Sequence, residues 1–407
     1  MRPIALVAPF FMDNTLRYVQ ALAELPNVRA AIISQDPAEK LPKALRQRIA
    51  AHYRVDNCLD GHSLARAAKA ISGFIGPLEG LLGVLEQLQL PVAQARDLAG
   101  IPGMSLAVAR NFRDKTQMKN VLRQAGLPCA RHSRIESTDD LHRFVDAVGY
   151  PIIVKPIDGL GSRGTYRIRN AAELTAAAAA LAPSVSNPTQ AEEFVMGREN
   201  TFETVTIRGQ HVWHSGTRYL PGPLEVLENP WIQYCVLLPR ETDDPEFSSF
   251  LPVNTAALSA LGMVTGLSHM EWFVRPDNTP VISEVGARPP GVNIMALNAI
   301  SHEIDMVRAW VKLMVNEEFD PPTRKYASGC AFFRGQGHGS KVVAIHGLDQ
   351  AQAEVGHLVV DRSLPTPGQP RQPGYEGEGW AIVRHESTEV VYDALRKLVS
   401  YVRIEVG

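Results

Sequence analysis

The sequence predicts an α/β protein of more than one domain, and three observations lead to this fold class. Residues 1 to about 100 alternate strand-like and helix-like segments, the pattern of βαβ units that build a parallel sheet. Two later stretches, near residues 150–170 and 269–294, combine strand-forming residues with glycine-rich or charged turns. With 407 residues, the chain exceeds one typical domain and suggests two or three.

The composition is that of an ordinary globular protein, with 45% hydrophobic and 21% charged residues. A formal net charge of −2 argues against a broad surface for nucleic acid or anionic membranes. The four cysteines form no CxxC pair, which favours reduced thiols over disulfides or a zinc site. No apolar run reaches the roughly 18 residues of a membrane span, and the apolar start predicts a strand rather than a signal peptide. We therefore expect a cytoplasmic protein without nucleic-acid or membrane partners.

The first hundred residues predict a parallel sheet flanked by helices. Strands are expected over IALVAPF and VRAAIIS, and amphipathic helices over NTLRYVQALAEL and HSLARAAKAI. A third helix is expected over LEGLLGVLEQLQL. No GxGxxG follows the first strand, so a dinucleotide site of that kind is not supported.

A helical region follows, with two pieces between residues 105 and 126. Lys115 is expected on or beside the start of the second piece, in the RDK motif. The segment ESTDDLHRFVDAVGYP predicts another helix, because Ser137 and Asp140 have the spacing of a capping box. A solvated lysine on a helix surface is the common alternative to a functional Lys115.

A glycine-rich hairpin comes next, in IIVKPIDGLGSRGTYRIRN. A strand over residues 152–155 leads into a loop with Gly159, Gly161 and Gly164, and a second strand follows over 165–168. Glycines let backbone N–H groups turn toward an anion, and Lys155 adds a charge beside them. The loop lacks GK[ST] and precedes a strand, so it is not a Walker loop. It predicts a flap over phosphates, with a plain glycine-rich hairpin as the alternative.

Between the two hairpins, AEEFV predicts a short strand that could present backbone groups to a planar base. Glu199 and Glu203 flank the start of the next strand, which ends in a turn at Arg208-Gly209. The stretch from His214 to Glu241 looks less regular and aromatic, as in a substrate-side loop. A helix is expected before residue 269, and another over ISHEIDMVRAWVKLMVNEE.

The second hairpin, HMEWFVRPDNTPVISEVGARPPGVNI, carries the most chemistry for its length. If Asp277 and Asn278 are the central turn residues, antiparallel pairing places Glu271 opposite Glu284. Two opposed carboxylates repel each other unless one protonates or a cation lies between them. Mg²⁺ commonly binds one or two carboxylates together with substrate phosphates. Arg288 follows four residues after the second glutamate.

Residues from about 320 onward are expected to form a separate small α/β region. Strands are expected over GCAFFRG, KVVAIHG, HLVVDR and WAIVRHE, followed by a helix and an edge strand. The Pro/Gly-rich link PTPGQPRQPGYEGEG predicts an exposed loop.

Taken in order, these motifs resemble the ATP-grasp superfamily, in its carboxylate–amine ligase branch, which includes L-amino-acid ligases and carnosine-synthase-like enzymes. The motifs are RDK, IVKPIDGLGSRG, EEFVMGRE and the pair ME…SEVGAR. The resemblance implies a Rossmann-like N-terminal domain (1–100), an ATP-grasp domain (101–318, with a flap at about 125–200) and a C-terminal α/β region (319–407). It also implies ATP with one or two Mg²⁺, or Mn²⁺ in its place. Members of the superfamily are often homodimers.

For the phosphates of ATP, the resemblance implies contacts from Lys115 and Lys155. The loop that would cover the β- and γ-phosphates contributes Gly159, Gly161, Ser162 and Gly164. For the adenosine, it implies Glu192 at the adenine amino group and the backbone of Glu193 and Val195 at the adenine edge. Glu199 would hold the ribose hydroxyls.

For the reaction itself, the resemblance implies that Glu271 and Glu284 carry Mg²⁺ and that Arg288 binds the reacting carboxylate and its acyl phosphate. Many members have Asn two residues after the second glutamate, where this chain has Gly286, which leaves the number of metal ions open. The implied activity is amide or peptide bond formation on an amino acid or similar carboxylate.

Three alternatives stay open at this point. One is a purine-biosynthetic or biotin-carboxylase-like ligase, the second a phosphotransferase without amide formation, and the third a nucleotide-binding module without turnover. Near the substrate, Glu228, Trp231, Tyr234 and His269 are candidates, although packing roles are more common for such residues.

Overall fold

The structure, a computed structural model, describes residues 1–157, 159 and 164–407. Its N-terminal part is a four-stranded parallel sheet in the order β3-β2-β1-β4 with helices around it. The strands are β1 (Arg2–Val7), β2 (Val28–Ser34), β3 (Ala51–Arg54) and β4 (Gly80–Gly83). The helices are α1 (Asp13–Glu24), α2 (Lys43–Arg46), α3 (Gly61–Ile75) and α4 (Gln89–Ala99).

The prediction of a third helix over residues 78–90 is wrong for the first half of that segment. Residues 80–83 form β4, which pairs with β1 in the order Ile4↔Gly80 to Val7↔Gly83, and α4 begins only at Gln89. The leucines suggested a helix, but Leu81 and Leu82 are buried in the sheet. This segment is therefore a strand because it pairs with β1.

A small antiparallel subdomain follows, with its sheet in the order β5-β8-β6-β7. Its elements are α5 (Leu106–Arg113), α6 (Lys115–Gln124), β5 (His132–Ile135), α7 (Thr138–Val148), β6 (Ile152–Pro156), β7 (Tyr166–Ile168), α8 (Ala171–Leu181) and β8 (Thr189–Glu193). Ser137 caps α7 by accepting from Asp140 N, as its spacing predicts. Lys115 is the first residue of α6, whose N-cap is Asp114.

The largest sheet has eight antiparallel strands in the order β13-β12-β9-β10-β11-β14-β17-β16. Its first half and the helices beside it are β9 (Arg198–Ile207), β10 (Gln210–Leu220), α9 (Pro223–Glu228), β11 (Tyr234–Leu238), α10 (Pro245–Leu261), β12 (Gly266–Val274), β13 (Pro280–Gly286), α11 (Ile294–His302) and α12 (Met306–Asn316). The second half and the closing elements are β14 (Ala327–Phe333), β15 (Val342–His346), α13 (Leu348–Val355), β16 (Val359–Ser363), β17 (Gly379–His385), α14 (Thr388–Tyr401) and β18 (Arg403–Val406).

Two expectations about this half need correction. The stretch that begins at His214 is not an irregular loop from its start, because residues up to Leu220 belong to the regular strand β10. The helix expected over residues 300–318 is interrupted, because Glu303 adopts a left-handed conformation and Asp305 starts α12 as its N-cap. The C-terminal strands β14, β16 and β17 extend the large sheet, and only β15 and β18 pair apart from it. The N-terminal part packs on α12, where Tyr18 meets Trp310 edge-on at 5.3 Å between ring centroids.

Candidate active site

A cleft of about 1350 Å³, including its open mouth, lies between the small antiparallel sheet and the large one. The residues that line it come from the N-terminal, middle and C-terminal parts of the chain. They include Glu86, Lys115, Lys119, Lys155, Gly159, Glu192, Glu193, Val195, Glu199, His269, Glu271, Glu284, Gly286, Arg288, Tyr375 and Glu376. The described residues expected to form the site are thus brought together, apart from Gly164. Gly161 and Ser162 lie outside the described residues.

The glutamates of the second hairpin face each other, as the sequence predicts. Glu271 pairs with Glu284 in the β12–β13 ladder. The turn itself differs from the expectation, because Val274 pairs with Pro280 and the loop centres on Asp277 alone. The ladder then skips Ser283, so that Trp272 pairs with Ile282 and Glu271 pairs with Glu284. Such an extra residue in one strand shifts the register by one.

Cations and a hydroxyl partner these two carboxylates. Lys115 Nζ lies 3.0 Å from Glu284 Oε1, and Tyr219 donates to Glu271 Oε1 at 3.3 Å. Burial alone would raise the pKa of Glu284, but Lys115 and then Lys155 hold it below its usual range. The described residues contain no cluster of three potential metal ligands. Two opposed carboxylates nevertheless fit a Mg²⁺ that takes its other ligands from substrate phosphates and water.

The two lysines expected at the phosphates both enter the cleft. Lys155 Nζ donates to Glu192 Oε1 at 2.6 Å, and Lys115 Nζ donates to the carbonyl of Gly159 at 3.0 Å. Burial lowers the pKa of Lys155, but Glu192 and then Glu284 outweigh this and raise it. Lys155 is therefore a fixed positive charge.

Lys119 is a cleft cation that sequence reasoning missed. It is 1% exposed, and its Nζ lies 2.8 Å from Glu192 Oε2. Burial would raise the pKa of Glu192, but Lys119 and Lys155 hold it far below its usual range. Its position one helical turn after Lys115 places both lysines on one face of α6, which is the signal that could have identified it.

The strand and linker that follow the flap form the edge expected for the adenine. The carboxylate of Glu192 already accepts from Lys119, Lys155 and Gln190, so an additional role at the adenine amino group stays a prediction. Glu193 N donates to Arg131 O at 2.9 Å, so this N–H already has a partner. Within the described chain, the N–H of Val195 has no backbone partner.

Glu199 lies on the sheet face that carries Glu271, since Phe273 is its pairing partner in the β9–β12 ladder. Burial and then the charge of Glu271 raise its pKa well above the usual range. A Cβ at Gly222 would lie 2.7 Å from Glu199 Oε2, so glycine lets the backbone approach this carboxylate. Gly164 lies beyond the cleft lining and has a φ of +70°.

Arg288 points back to the N-terminal part of the chain. Its Nε donates to Glu86 Oε2 and its Nη1 donates to Pro289 O at 2.8 Å. Burial would lower the pKa of Arg288, but Glu86 and then Glu284 raise it. A Cβ at Gly286 would lie 3.5 Å from Glu86 Oε2 and 3.6 Å from Arg288 Cγ. Both distances are ordinary van der Waals contacts, so a β-carbon at position 286 would fit beside this ion pair.

His269 is part of the site rather than only of the core. Its Nδ1 lies 2.8 Å from Glu203 Oε1 and its Nε2 lies 3.6 Å from Glu271 Oε1. Burial would lower its pKa, but these two glutamates raise it to about 9, so the ring carries a charge at neutral pH. It therefore adds a cation beside Glu271.

The other substrate-side candidates, Glu228, Trp231 and Tyr234, lie outside the cleft lining. Trp231 is 67% exposed and Tyr234 is fully buried, and neither lines the cleft. Glu228, at the end of α9, forms ion pairs with Arg167 of β7 and with Arg169, which follows β7. Its Oε2 lies 2.9 Å from Arg167 Nη2 and 3.4 Å from Arg169 Nη2. Arg167 also lies 4.4 Å from the ring centroid of Phe194.

The structure also reveals residues that no motif indicated: Glu86, Tyr375 and Glu376. Glu86 is about 200 residues before the paired glutamates, and the other two belong to the Pro/Gly-rich link expected to be an exposed loop. Their roles depend on tertiary contacts, so local sequence patterns carry no signal for them.

Comparison with protein families and known proteins gives a consistent result. The family model described as "ATP-grasp domain" matches residues 120–301. The chain is 25% identical over 363 residues to the uncharacterized protein y4rH of Sinorhizobium fredii, covering 88% of this chain and 73% of that protein. It is 24% identical over 225 residues to an L-arginine-specific L-amino acid ligase of Bacillus subtilis, covering 54% of each. An L-amino acid ligase structure from Bacillus licheniformis superposes with a TM-score of 0.77 at 19% identity, covering 100% of this chain and 99% of that one.

Within the described residues, no helix combines the length and the apolar character needed to cross a membrane.

Proposed function

We propose that this chain, which carries an ATP-grasp domain, is an ADP-forming ligase that joins a carboxylate to an amine through an acyl phosphate. The observation that carries the proposal is the convergence of Lys115, Lys155, two opposed glutamates and Arg288 in one cleft. Such a cleft combines cations for phosphates with a planar guanidinium suited to a carboxylate. The N-terminal, ATP-grasp and C-terminal divisions of the chain remain part of this proposal.

The reaction proceeds in two displacements. A carboxylate oxygen of the substrate attacks the γ-phosphorus of ATP, the bond to the β-phosphate oxygen breaks, and ADP leaves. The amine nitrogen then attacks the carbonyl carbon of the acyl phosphate, the carbon–oxygen bond to phosphate breaks, and the nitrogen loses a proton. The products are an amide, phosphate and ADP.

The protein contributes position and charge. Lys115 and Lys155 offset the negative charge of the phosphates, because each is held at the cleft by a carboxylate partner. Arg288 binds the carboxylate that is activated, and Glu86 fixes the orientation of its guanidinium. A Mg²⁺ on Glu271 and Glu284 would add charge neutralisation at the phosphates.

The nucleotide is expected to lie along the small sheet. Glu199 takes the ribose hydroxyls, while the Val195 N–H and the Glu193 carbonyl meet the adenine edge. The glycines from Gly159 to Gly164 cover the β- and γ-phosphates. These assignments follow the family resemblance, and Gly159, Glu193, Val195 and Glu199 also line the cleft.

The cleft does not favour a sugar-phosphate substrate. A second phosphate needs cations of its own, but the described lining has more glutamates than lysines and arginines. Lys115, Lys155 and Arg288 of this lining are already assigned to the ATP phosphates and to one carboxylate in this proposal. Zwitterionic or small organic carboxylates fit this balance better.

The test is a release assay with a panel of amino acids, alone and in pairs. ADP formation that needs both a carboxylate and an amine, with an amide of the summed mass minus water, is the expected result. A stable phosphorylated product in the absence of an amine would identify a phosphotransferase instead. Nucleotide binding without ADP release across the panel would contradict the ligase.

A further inference from the structure

Among the described residues, the hydrogen-bond and ion-pair contacts of Glu271 fall on one of its two carboxylate oxygens. Tyr219 Oη donates to Glu271 Oε1 at 3.3 Å, and His269 Nε2 lies 3.6 Å from the same atom. Glu271 lines the cleft, and its side chain is 29% exposed. Its second oxygen, Oε2, is therefore the one left to contact a ligand in the cleft.

The hydroxyl that reaches Glu271 comes from a ring that is fixed by packing. Tyr219 is 5% exposed, and its ring centroid lies 5.8 Å from that of Tyr234. Tyr234 stacks in turn on Phe332 at 5.4 Å, and the three rings belong to one buried apolar cluster. Because β9 lies between β10 and β12, Tyr219 reaches across a whole strand. The packing of its ring, rather than Glu271, determines where the hydroxyl lies.

The ring of His269 is held on its other side by a buried carboxylate. Glu203 is 1% exposed and is the pairing partner of His269 in the β9–β12 ladder. Its Oε1 lies 2.8 Å from His269 Nδ1, and a carboxylate oxygen accepts there. This bond fixes the orientation of the imidazole, so that Nε2 is directed at Glu271.

The occupied oxygen restricts how Glu271 can bind a cation. A carboxylate that binds through both oxygens needs both of them free, whereas Tyr219 and His269 contact Oε1. Mg²⁺ requires near-ideal octahedral geometry at about 2.0–2.1 Å, while Ca²⁺ accepts more oxygens and often binds a carboxylate through both. A carboxylate that offers a single oxygen therefore suits Mg²⁺ better than Ca²⁺.

We propose that Tyr219 and His269 are positioning residues that restrict Glu271 to one metal-binding oxygen and thereby select Mg²⁺ over Ca²⁺. The inference rests on the proposed function, since it takes Glu271 as a ligand of the divalent cation. Carboxylates that bind metals are commonly oriented by hydrogen bonds of this kind. Glu203 acts one step further from the cation, because it orients the ring of His269.

Tyr219→Phe tests this, because phenylalanine keeps the ring and removes the hydroxyl. Tyr234→Phe is the matched control, since it removes a hydroxyl without a hydrogen-bond partner among the described residues and lies outside the cleft lining. His269→Asn is the second variant. Its amide nitrogen replaces Nδ1 beside Glu203, and the group that faces Glu271 is lost.

Metal binding is measured without turnover, on the full chain with a non-hydrolysable ATP analogue. Electron paramagnetic resonance follows bound Mn²⁺, and Mg²⁺ and Ca²⁺ are titrated as competitors. Loss of an orienting partner commonly costs about tenfold or more in metal affinity. We expect this loss for Mg²⁺, with little change for Ca²⁺, in both Tyr219→Phe and His269→Asn. Tyr234→Phe should keep the wild-type ratio of the two affinities.

An unchanged ratio in Tyr219→Phe would overturn the proposal, as would an equal loss for both metals, which a merely structural role predicts. An equal fall of the ratio in Tyr234→Phe would also overturn it. Thermal melting checks that His269→Asn is folded, and Tyr219→Phe alone decides if it is not. A shifted ratio in a chain that releases no ADP with any substrate would keep the metal selection and reject the ligase. Amide formation together with an unchanged ratio would do the reverse.

Discussion

Arg288 and Glu86 form an ion pair although 202 positions separate them in the chain. Glu86 also lies 3.4 Å from Arg113 Nε, so one buried carboxylate joins the N-terminal part, α5 and the loop after β13. Because the guanidinium is planar and rigid, the partner on one edge determines which edge faces a substrate. The N-terminal part thus helps to build the site even though the family model begins at residue 120.

Glu86→Gln should therefore weaken carboxylate binding without affecting ATP. We expect about a tenfold higher KM for the carboxylate, which corresponds to about 1.4 kcal/mol, with the KM for ATP within twofold. Steady-state ADP release with each substrate varied in turn measures both constants. Glu79→Gln, which removes a surface partner of Arg2, is the control. Equal increases in both KM values would indicate a general loss of structure instead.

Glu192 should stabilise the fold because two buried lysines depend on it. Glu192→Gln leaves Lys119 and Lys155 without their shared counter-charge, and we expect a loss of about 3–5 kcal/mol in the free energy of unfolding. Urea titrations at pH 7 measure it, with Glu193→Gln as the control at a more exposed pair.

The same pair predicts a pH dependence. The folded pKa of Glu192 lies below its ordinary value of 4.5, so its stabilisation is full above that pH and is lost as the pH falls below it. The difference between wild type and Glu192→Gln should therefore be flat from pH 6 to 8 and shrink in acid. A difference that grows in acid would contradict the assignment.

Lys155→Ala should abolish turnover, because it removes a charge that offsets the transferring phosphoryl group. Loss of one such group costs on the order of a hundredfold or more in kcat. Single-turnover ADP formation measures this step separately from product release. Lys312→Ala, which disrupts a surface pair with Asp320, should leave the rate unchanged. A Lys155→Ala rate within a few fold of wild type would remove Lys155 from the phosphate site.

Glu228 should stabilise the contact between β7, a strand of the flap, and α9. Glu228→Gln removes the charge shared by Arg167 and Arg169, so we expect a several-fold higher KM for ATP with a smaller change for the carboxylate. Its neighbour Glu225 is exposed on the same helix, and Glu225→Gln is the matched control. Faster hydrogen exchange across β7 in Glu228→Gln alone would link the kinetic effect to the flap. Unchanged exchange together with unchanged KM values would exclude this latch.

The paired glutamates show how far the sequence could predict the site. Period-two patterning and turn residues located the hairpin, and the pairing Glu271↔Glu284 is confirmed. The predicted turn is wrong by one residue, because two-residue and three-residue hairpin loops leave similar sequence signals. The ladder skips Ser283, so Glu271 still pairs with Glu284.

Other parts of the site were beyond local patterns. Glu86 and Glu376 reach the cleft only through the packing of distant segments. Residues 80–83 show the same limit, because a short leucine-rich stretch suits both a helix and a strand, and only the pairing with β1 decides between them. The metal-binding and nucleotide-binding roles stay predictions that the following measurement tests.

The most direct test of the account is ADP release by wild type and Glu284→Ala at saturating Mg²⁺, with the amide product followed by mass spectrometry. We expect the wild type to form ADP and amide in equal amounts only when a carboxylate and an amine are both present. Glu284→Ala should show no release above background, because it removes one of the two opposed carboxylates. Wild-type turnover by Glu284→Ala, or ADP formation that does not depend on the carboxylate, would contradict the central claim.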